Sequence, residues 1–315
     1  MTKNRTRRSI IVLVVLILLT IAAALVACVV GQVHATPHDV TNTILMSWGV
    51  KSDGTTPRIV TSTLWEVRFP RLVIALAVGA GLGCAGALLQ GIFANPLAEP
   101  SIIGVSSGGA VFASGLLAIA SLAGVERSYG FLKWGTALAA FIGALLTTLL
   151  VYSLSRVQGK TVVVNLILVG VAINAMAGGF VTLFSFIGGT MAQSQVVFWQ
   201  LGSLAGAGWS SAVITLIITV IGIVIACLCA PKMDLLALGE NQARHLGVNV
   251  ERFRLCVIIL VAALVGVGVA FAGVIAFVGL IVPHAIRLII GPQHKWLLPT
   301  SAFGGVFLLL FADTC

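Results

Sequence analysis

Long apolar runs recur along this chain, and they limit its possible folds more than any other feature. The run from Ser9 to Gly31 carries no charged residue and exceeds the about 20 residues that a helix needs to cross the hydrocarbon core of a membrane. Only 9% of the 315 residues are charged and 59% are hydrophobic, whereas soluble domains carry about 25% charged residues. The sequence therefore predicts an all-α fold, a polytopic transmembrane helical bundle that forms one domain over residues 1–315.

Nine spans are predicted from these runs and from the polar or proline-containing breaks between them. They cover about 9–31, 72–92, 101–122, 131–154, 162–187, 210–230 and 255–271, then an eighth from about 272 to Arg287 and a ninth from near Pro299. Residues 32–67 form the longest polar stretch and are predicted to be an external loop. Residues 188–209 predict a short interfacial helix, with Trp199 and Trp209 at the membrane surface.

The basic residues predict how the chain is oriented. Lys3, Arg5, Arg7 and Arg8 precede the first apolar run, and Val33-His-Ala35 faintly resembles the cleavage site of a signal peptide. The run is too long for the apolar part of a signal peptide, so we predict a first span with a cytoplasmic N-terminus. Alternating spans then place twelve of the 18 Lys and Arg residues inside, as the positive-inside rule expects.

The polar segment from Pro231 to Arg254 separates two spans and must lie outside the hydrocarbon. Asp234 is expected to cap a short helix that ends at Gly239, and a second helix is expected to run from Glu240 or Asn241 to Gly247. Leu236, Gly239, Ala243 and Gly247 recur at helical spacing and predict one face of small side chains. Either an ordinary solvated loop or a docking surface for a soluble partner explains this pattern.

Several function classes are not supported by the residues. None of the five His residues has a nucleophile beside it in a recognisable motif, and the six Cys residues lack metal-binding spacing. Gly79-x-Gly81-x-Gly83 lies inside an apolar run, where a nucleotide loop is not expected. The net charge of +9 comes from basic residues scattered among loops, so no nucleic-acid partner is predicted. We expect no enzyme activity, no metal and no cofactor.

Three segments carry a resemblance to a known family. They are Arg68–Gly109, which contains Arg68-x-Pro-Arg71 and Asn95-Pro-Leu-Ala-Glu-Pro100; Leu235–Gly247; and Gly273–Arg287. The chain resembles the permease subunits of ABC importers for iron–siderophores, haem and vitamin B12. Ala276 departs from the pattern, because the family usually has Gly there. The family has ten spans, so the last span and an outer arginine near it are not found in this sequence; loss of the helix and a truncated sequence both remain open.

The resemblance implies a type II ABC importer permease without its own ATPase. ATPase subunits would grip the segment that contains Leu236, Gly239, Glu240, Ala243, Arg244 and Gly247. A substrate-binding protein would dock at Arg68 and Arg71, although lipid-headgroup anchoring also explains two arginines there. Lys160 and Thr161 would form a cytoplasmic gate, or only a turn. A second copy or a paralogue would complete the path.

The cargo expected from this resemblance is an iron chelate, with vitamin B12 as the alternative. An ion-coupled secondary transporter is a further alternative from a different class. It would require charged residues within the spans, and Asp313, near an end, is the nearest case. The amides of Asn165 and Asn174 are expected to bond neighbouring helices or to line the channel.

Overall fold

The computed structural model describes residues 2–49, 55–124 and 129–314. Thirteen α-helices lie in this part of the chain: α1 (Thr2–Val29), α2 (Pro37–Ser47), α3 (Arg58–Thr63), α4 (Phe69–Ile92), α5 (Val105–Leu122), α6 (Tyr129–Leu154), α7 (Val163–Ile187), α8 (Gly189–Leu201), α9 (Trp209–Ala237), α10 (Glu240–His245), α11 (Val250–Ala272), α12 (Val278–Ile290) and α13 (His294–Thr314). A π-helical turn (Leu64–Arg68) joins α3 to α4, and a 3₁₀ turn (Pro100–Ile103) precedes α5. Two short strands, β1 (Arg156–Val157) and β2 (Lys160–Thr161), form a hairpin between α6 and α7.

Eight helices of the described chain are long and apolar enough to cross a membrane, which confirms a polytopic helical bundle of about the predicted number of spans. The predicted eighth span is different. Its helix, α12, has 13 residues and is about 20 Å long at 1.5 Å per residue. The irregular segment 273–277 precedes it, and the two together lead from the end of α11 to the start of α13. Non-helical backbone at this depth is tolerated where protein or a cavity surrounds it.

Helix α4 lies at the centre and packs against α9, α11, α12 and α13. Small residues allow the closest of these contacts. A Cβ added to Gly83 would lie 2.1 Å from the carbonyl oxygen of Ser301, and one added to Gly79 would lie 2.7 Å from that of Gly305. Gly79 and Gly83 are therefore packing residues between α4 and α13, while Gly81 lies against Leu264 of α11 and Thr219 of α9.

Two ends of the bundle can be named from their contacts. At the Arg71 end, Arg71 pairs with Asp313, and the indole of Trp209 donates a 2.8 Å hydrogen bond to the carbonyl of Trp65. At the Glu240 end lie α10, the β1–β2 hairpin and the start of α13.

The structure corrects the predicted start of the polar segment. Helix α9 continues through Pro231 to Ala237, so Asp234 does not cap a separate helix. Met233 and Leu236 are buried in the core, and the continued helix places both side chains there. The second predicted helix is present as α10, and Gly247 follows it with a positive φ of 87°.

The long polar stretch also contains more helix than expected. Thr36 and Asp39 form a capping box at the start of α2, where the Thr36 amide donates a 2.8 Å bond to Oδ2 of Asp39. Hydrogen bonds from Thr36 lower the pKa of the Asp39 carboxyl. The short helix predicted within 188–209 is α8. Trp199 packs against several core clusters, because α8 lies against the bundle, and its role as a membrane-surface anchor stays a prediction.

Candidate transport path and coupling surfaces

A cavity of about 430 Å³ opens between α5, α7, α8 and the segment that precedes α12. Among the described residues that line it, none is charged. Its polar lining residues are Ser101, Ser106, Ser107, Asn174, Thr182 and Gln200. An uncharged polar lining suits a solute that passes through without being bound tightly.

Asn174 on α7 holds this cavity together as well as lining it. Its Nδ2 donates a 3.1 Å hydrogen bond to the carbonyl of Ser101, and its Oδ1 accepts a 2.6 Å bond from the hydroxyl of Ser107. Its amide therefore bonds the neighbouring helix α5, as predicted, and also lines this cavity; that the cavity is the channel stays a prediction. For Asn165 the expectation stays a prediction.

The segment before α12 borders the same region. Phe277 has a positive φ of 66°, which is uncommon for a bulky residue, and its amide donates a 2.9 Å hydrogen bond to Oε1 of Glu99. Ala276, the departure from the family pattern, lies in this segment and lines a small cavity beside Gly279. This hydrogen bond connects the segment before α12 to the residue that precedes the 3₁₀ turn before α5.

The predicted coupling segment separates into an inner and an outer set of residues. Leu236 and Ala243 are buried, because they pack into the core cluster, so only the two glycines of the expected small-residue face reach solvent. Gly239, Glu240, Arg244 and Gly247 are exposed. Two leucines missed in the sequence, Leu238 and Leu246, are 62% and 61% exposed. Apolar side chains exposed on a polar segment are a signal of a docking surface.

The predicted gate lies in the β1–β2 hairpin. Gln158 and Gly159 both have positive φ angles, of 49° and 80°, as a tight two-residue hairpin requires. Thr161 is buried, and its amide and hydroxyl donate hydrogen bonds of 3.1 and 2.7 Å to Oε2 of Glu251 on α11. Lys160 is exposed. The turn is thus fixed to the helix that follows the coupling segment.

The two arginines at the Arg71 end have different surroundings. Arg68 donates from Nη1 to the carbonyls of Cys28 and Val29, at 2.6 and 3.0 Å, and from Nη2 to that of Val33. It therefore satisfies carbonyl groups at and just beyond the end of α1. Arg71 pairs with Asp313 and borders a cavity of about 400 Å³. Arg68 borders the same cavity, and docking at either arginine remains a prediction.

Asp234 has a role that the sequence did not suggest. Its Oδ1 accepts a 2.9 Å bond from the amide of His294 and lies 2.7 Å from Nδ1 of the same residue. His294 is the first residue of α13, where the helix leaves amide groups unpaired. Asp234 therefore caps α13 from α9, a contact between distant residues that no local pattern indicates.

Comparison with known proteins agrees with this architecture. The model of the FecCD transport family matches residues 12–315. The chain belongs to the FecCD transport family. A hemin transport permease from Yersinia pestis is 39% identical over 253 residues, 80% of this chain and 74% of the relative. A cobalamin import permease from Halobacterium salinarum is also 39% identical, over 79% of this chain and 64% of the relative.

A solved structure shares the fold of this FecCD protein. It is described as an inward-facing conformation of a metal-chelate type ABC transporter, with a TM-score of 0.78 and 30% identity over 96% of this chain and 89% of the other. The FecCD protein is therefore a multi-pass membrane protein with the fold of a type II ABC importer permease. This confirms the resemblance and the fold class predicted from the three segments.

Proposed function

We propose that this FecCD protein is the membrane-spanning subunit of an ABC importer that moves an iron chelate, haem or a ferric siderophore, into the cytoplasm. The Glu240 end and the N-terminus face the cytoplasm, and the Arg71 end faces outward, in the plasma (inner) membrane of a bacterium. The excess of basic residues predicted for the inner side supports this orientation, although Lys51 and Arg127 of the outer set lie outside the described residues.

The observation that carries the proposal is the exposed surface of α10 with its flanking leucines. Leu238 and Leu246 expose apolar side chains beside Glu240 and Arg244. In a membrane protein this surface lies beyond the spans, where a soluble partner reaches it. An ATPase subunit that binds there supplies the energy for transport, because a path without charged residues does not fit ion coupling.

The similar proteins bear on the cargo. The hemin permease and the cobalamin permease are equally similar to this chain, while the solved relative is of the metal-chelate type. Vitamin B12 is therefore the second candidate. A cavity without charged lining residues gives little selectivity, so the substrate-binding protein that docks near Arg71 chooses the cargo.

Two further partners complete the transporter. The substrate-binding protein delivers cargo at the Arg71 end, and a second permease copy or a paralogue forms the other half of the path. Helix α7 carries both the cavity residue Asn174 and exposed apolar residues such as Val164, Leu168 and Val171. A partner permease or lipid would cover that face.

Uptake assays test the cargo. Labelled haem, a ferric siderophore and cobalamin are supplied to a strain that lacks its own chelate permeases and expresses this chain with its ATPase and binding protein. ATP-dependent uptake of haem or of the siderophore supports the proposal, and uptake of cobalamin alone replaces the cargo with the second candidate. Uptake that follows an ion gradient without the ATPase would instead support a secondary transporter.

Charge reversal tests the coupling surface. Arg244→Glu should abolish co-purification of the ATPase or uncouple ATP hydrolysis from uptake, while membrane insertion stays normal. Arg252→Glu is the matched control, because Arg252 is also an exposed arginine but lies on α11. Equal uptake by the Arg244→Glu variant and the wild type would remove α10 from the docking surface.

A further inference from the structure

We propose that Arg254 and Glu251 are positioning residues that transmit movement of α10 to the β1–β2 hairpin. This inference rests on the proposed function, because α10 must bind an ATPase for its movement to matter. It adds a physical connection between two surfaces that lie in different parts of the sequence.

The first contact joins α10 to α11. Arg254 is 2% exposed, and its Nη2 donates a 2.6 Å hydrogen bond to Oε1 of Glu240. A buried guanidinium needs a carboxylate partner, because an unpaired charge away from water is costly. Glu240 is 46% exposed and also lies 3.5 Å from Arg244. A protein docked on α10 therefore contacts Glu240 directly, and Glu240 is the carboxylate that pairs with the buried Arg254.

The second contact joins Arg254 to the hairpin through one carboxylate. Nη1 of Arg254 lies 3.3 Å from Oε1 of Glu251, while Oε2 of Glu251 accepts both hydrogen bonds from Thr161. Glu251 thus divides its two oxygens between the arginine and the hairpin. Glu240, Arg254, Glu251 and Thr161 form a continuous chain of hydrogen bonds from α10 to the hairpin.

The bond lengths allow this series of hydrogen bonds to take a second arrangement. Among the described residues, Nε of Arg254 has no hydrogen-bond partner, and the bond to Glu251 is longer than the bond to Glu240. If a docked ATPase draws Glu240 away, the buried guanidinium must pair more fully with Glu251. A carboxylate that turns its second oxygen toward Arg254 releases Thr161. Docking at α10 thereby frees the hairpin.

A purely structural role is the competing explanation, in which the four residues only tie the segments together. A double-mutant cycle separates the two roles, because Glu240 and Thr161 do not touch each other. Glu240→Gln removes the charge at one end, and Thr161→Val removes the hydroxyl bond at the other. Both substitutions keep side-chain volume and spare the buried Arg254.

The measurement uses the permease assembled with its ATPase in liposomes. Hydrogen exchange of residues 155–162 is compared without nucleotide and with ATP trapped by vanadate. In the wild type, trapping should raise exchange of this segment by about fivefold or more. Glu240→Gln should lose most of this increase when exchange is compared only in complexes that retain the ATPase. ATPase rates of the double variant should match the more affected single variant.

The control variant is measured in the same complex of permease and ATPase. Arg252→Gln, two residues from Arg254 but exposed, should keep the wild-type increase. An unchanged increase in Glu240→Gln, or single-variant effects on ATPase rate that multiply in the double variant, would overturn the connection. Failure of the wild-type permease to bind any ATPase would instead overturn the proposed function.

Discussion

Nε and Nη2 of Arg71 lie 2.8 and 2.7 Å from the two carboxylate oxygens of Asp313, in a bidentate ion pair between α4 and α13. The pair orients the arginine fork before any partner is present, while the Arg71 side chain remains 38% exposed. A carboxylate on a docking protein would compete with Asp313 for the same donors.

The first prediction follows from this competition. Arg71→Glu should weaken binding of the substrate-binding protein by about tenfold or more at low salt, because attraction becomes repulsion. Asp313→Asn should strengthen binding severalfold, because it frees the guanidinium. Surface plasmon resonance on permease in nanodiscs measures both, and high salt should reduce both effects.

Arg58→Glu is the matched control for this prediction. Arg58 is an exposed arginine and the first residue of α3. Arg58→Glu should change affinity much less than Arg71→Glu. Equal effects of the two reversals would show that general charge, rather than Arg71, attracts the partner.

A second prediction concerns Arg68 and the stability of the bundle. Arg68→Ala leaves the carbonyls of Cys28, Val29 and Val33 without their donor, and charged hydrogen bonds contribute about 1.5–3 kcal/mol each. The variant should therefore unfold at a clearly lower temperature in detergent, measured by the loss of a monodisperse peak on size-exclusion chromatography after heating. Arg58→Ala should unfold like the wild type. A wild-type midpoint for Arg68→Ala would show that the α1 contacts add no stability.

Close packing of α4 against α13 leads to a third prediction. Gly83→Ala adds a Cβ that would lie 2.1 Å from the Ser301 carbonyl, so the helices must separate and the yield of folded protein should fall sharply. Gly179→Ala on α7 is the control, since no described atom lies within 4 Å of its added Cβ. That substitution should be neutral or stabilising by about 0.5–1 kcal/mol. The test compares the monodisperse peak of both variants on size-exclusion chromatography after heating.

The fourth prediction concerns Asn174 and the cavity. Asn174→Ala removes two hydrogen bonds but leaves the space open, whereas Asn174→Phe fills the space. If the cavity is the path, Phe should block uptake almost completely, and Ala should keep part of it. The measurement is uptake of the transported cargo by each variant, normalised to the amount of folded permease. Equal losses of uptake and of folded protein in both variants would indicate that Asn174 serves packing alone.

Local patterns were sufficient for most of the fold. Apolar runs predicted the long spans, since each span must satisfy its own backbone and present apolar side chains to lipid. Pro231 was misleading, because burial of Met233 and Leu236 favours a continuous α9 over the break that proline usually causes. The eighth span also differed. The length of the apolar run predicted one continuous helix, whereas the irregular segment 273–277 and the short helix α12 together occupy it.

Residue roles were harder to predict than elements. Arg71, Arg244 and Thr161 lie at surfaces or contacts that fit their expected roles, although those roles remain predictions. Leu236 and Ala243 face the core. Helical spacing could not reveal this, because it shows which residues share a face but not whether that face is buried or exposed. The contacts of Glu251 with Thr161 and of Asp234 with His294 were missed, since these partners lie far apart in the sequence.

The sequence by itself determined that this chain spans a membrane many times, that a polar segment interrupts the spans before α11, and that its motifs resemble chelate-import permeases. These properties depend on composition, length and local order, which need no knowledge of neighbours. Only the tertiary structure decided which polar and charged groups meet: Arg71 with Asp313, Asp234 with His294, and Glu240 with Arg254. Such pairs form where distant helices converge, and the energy of burying a charge depends on that convergence rather than on the residues alone.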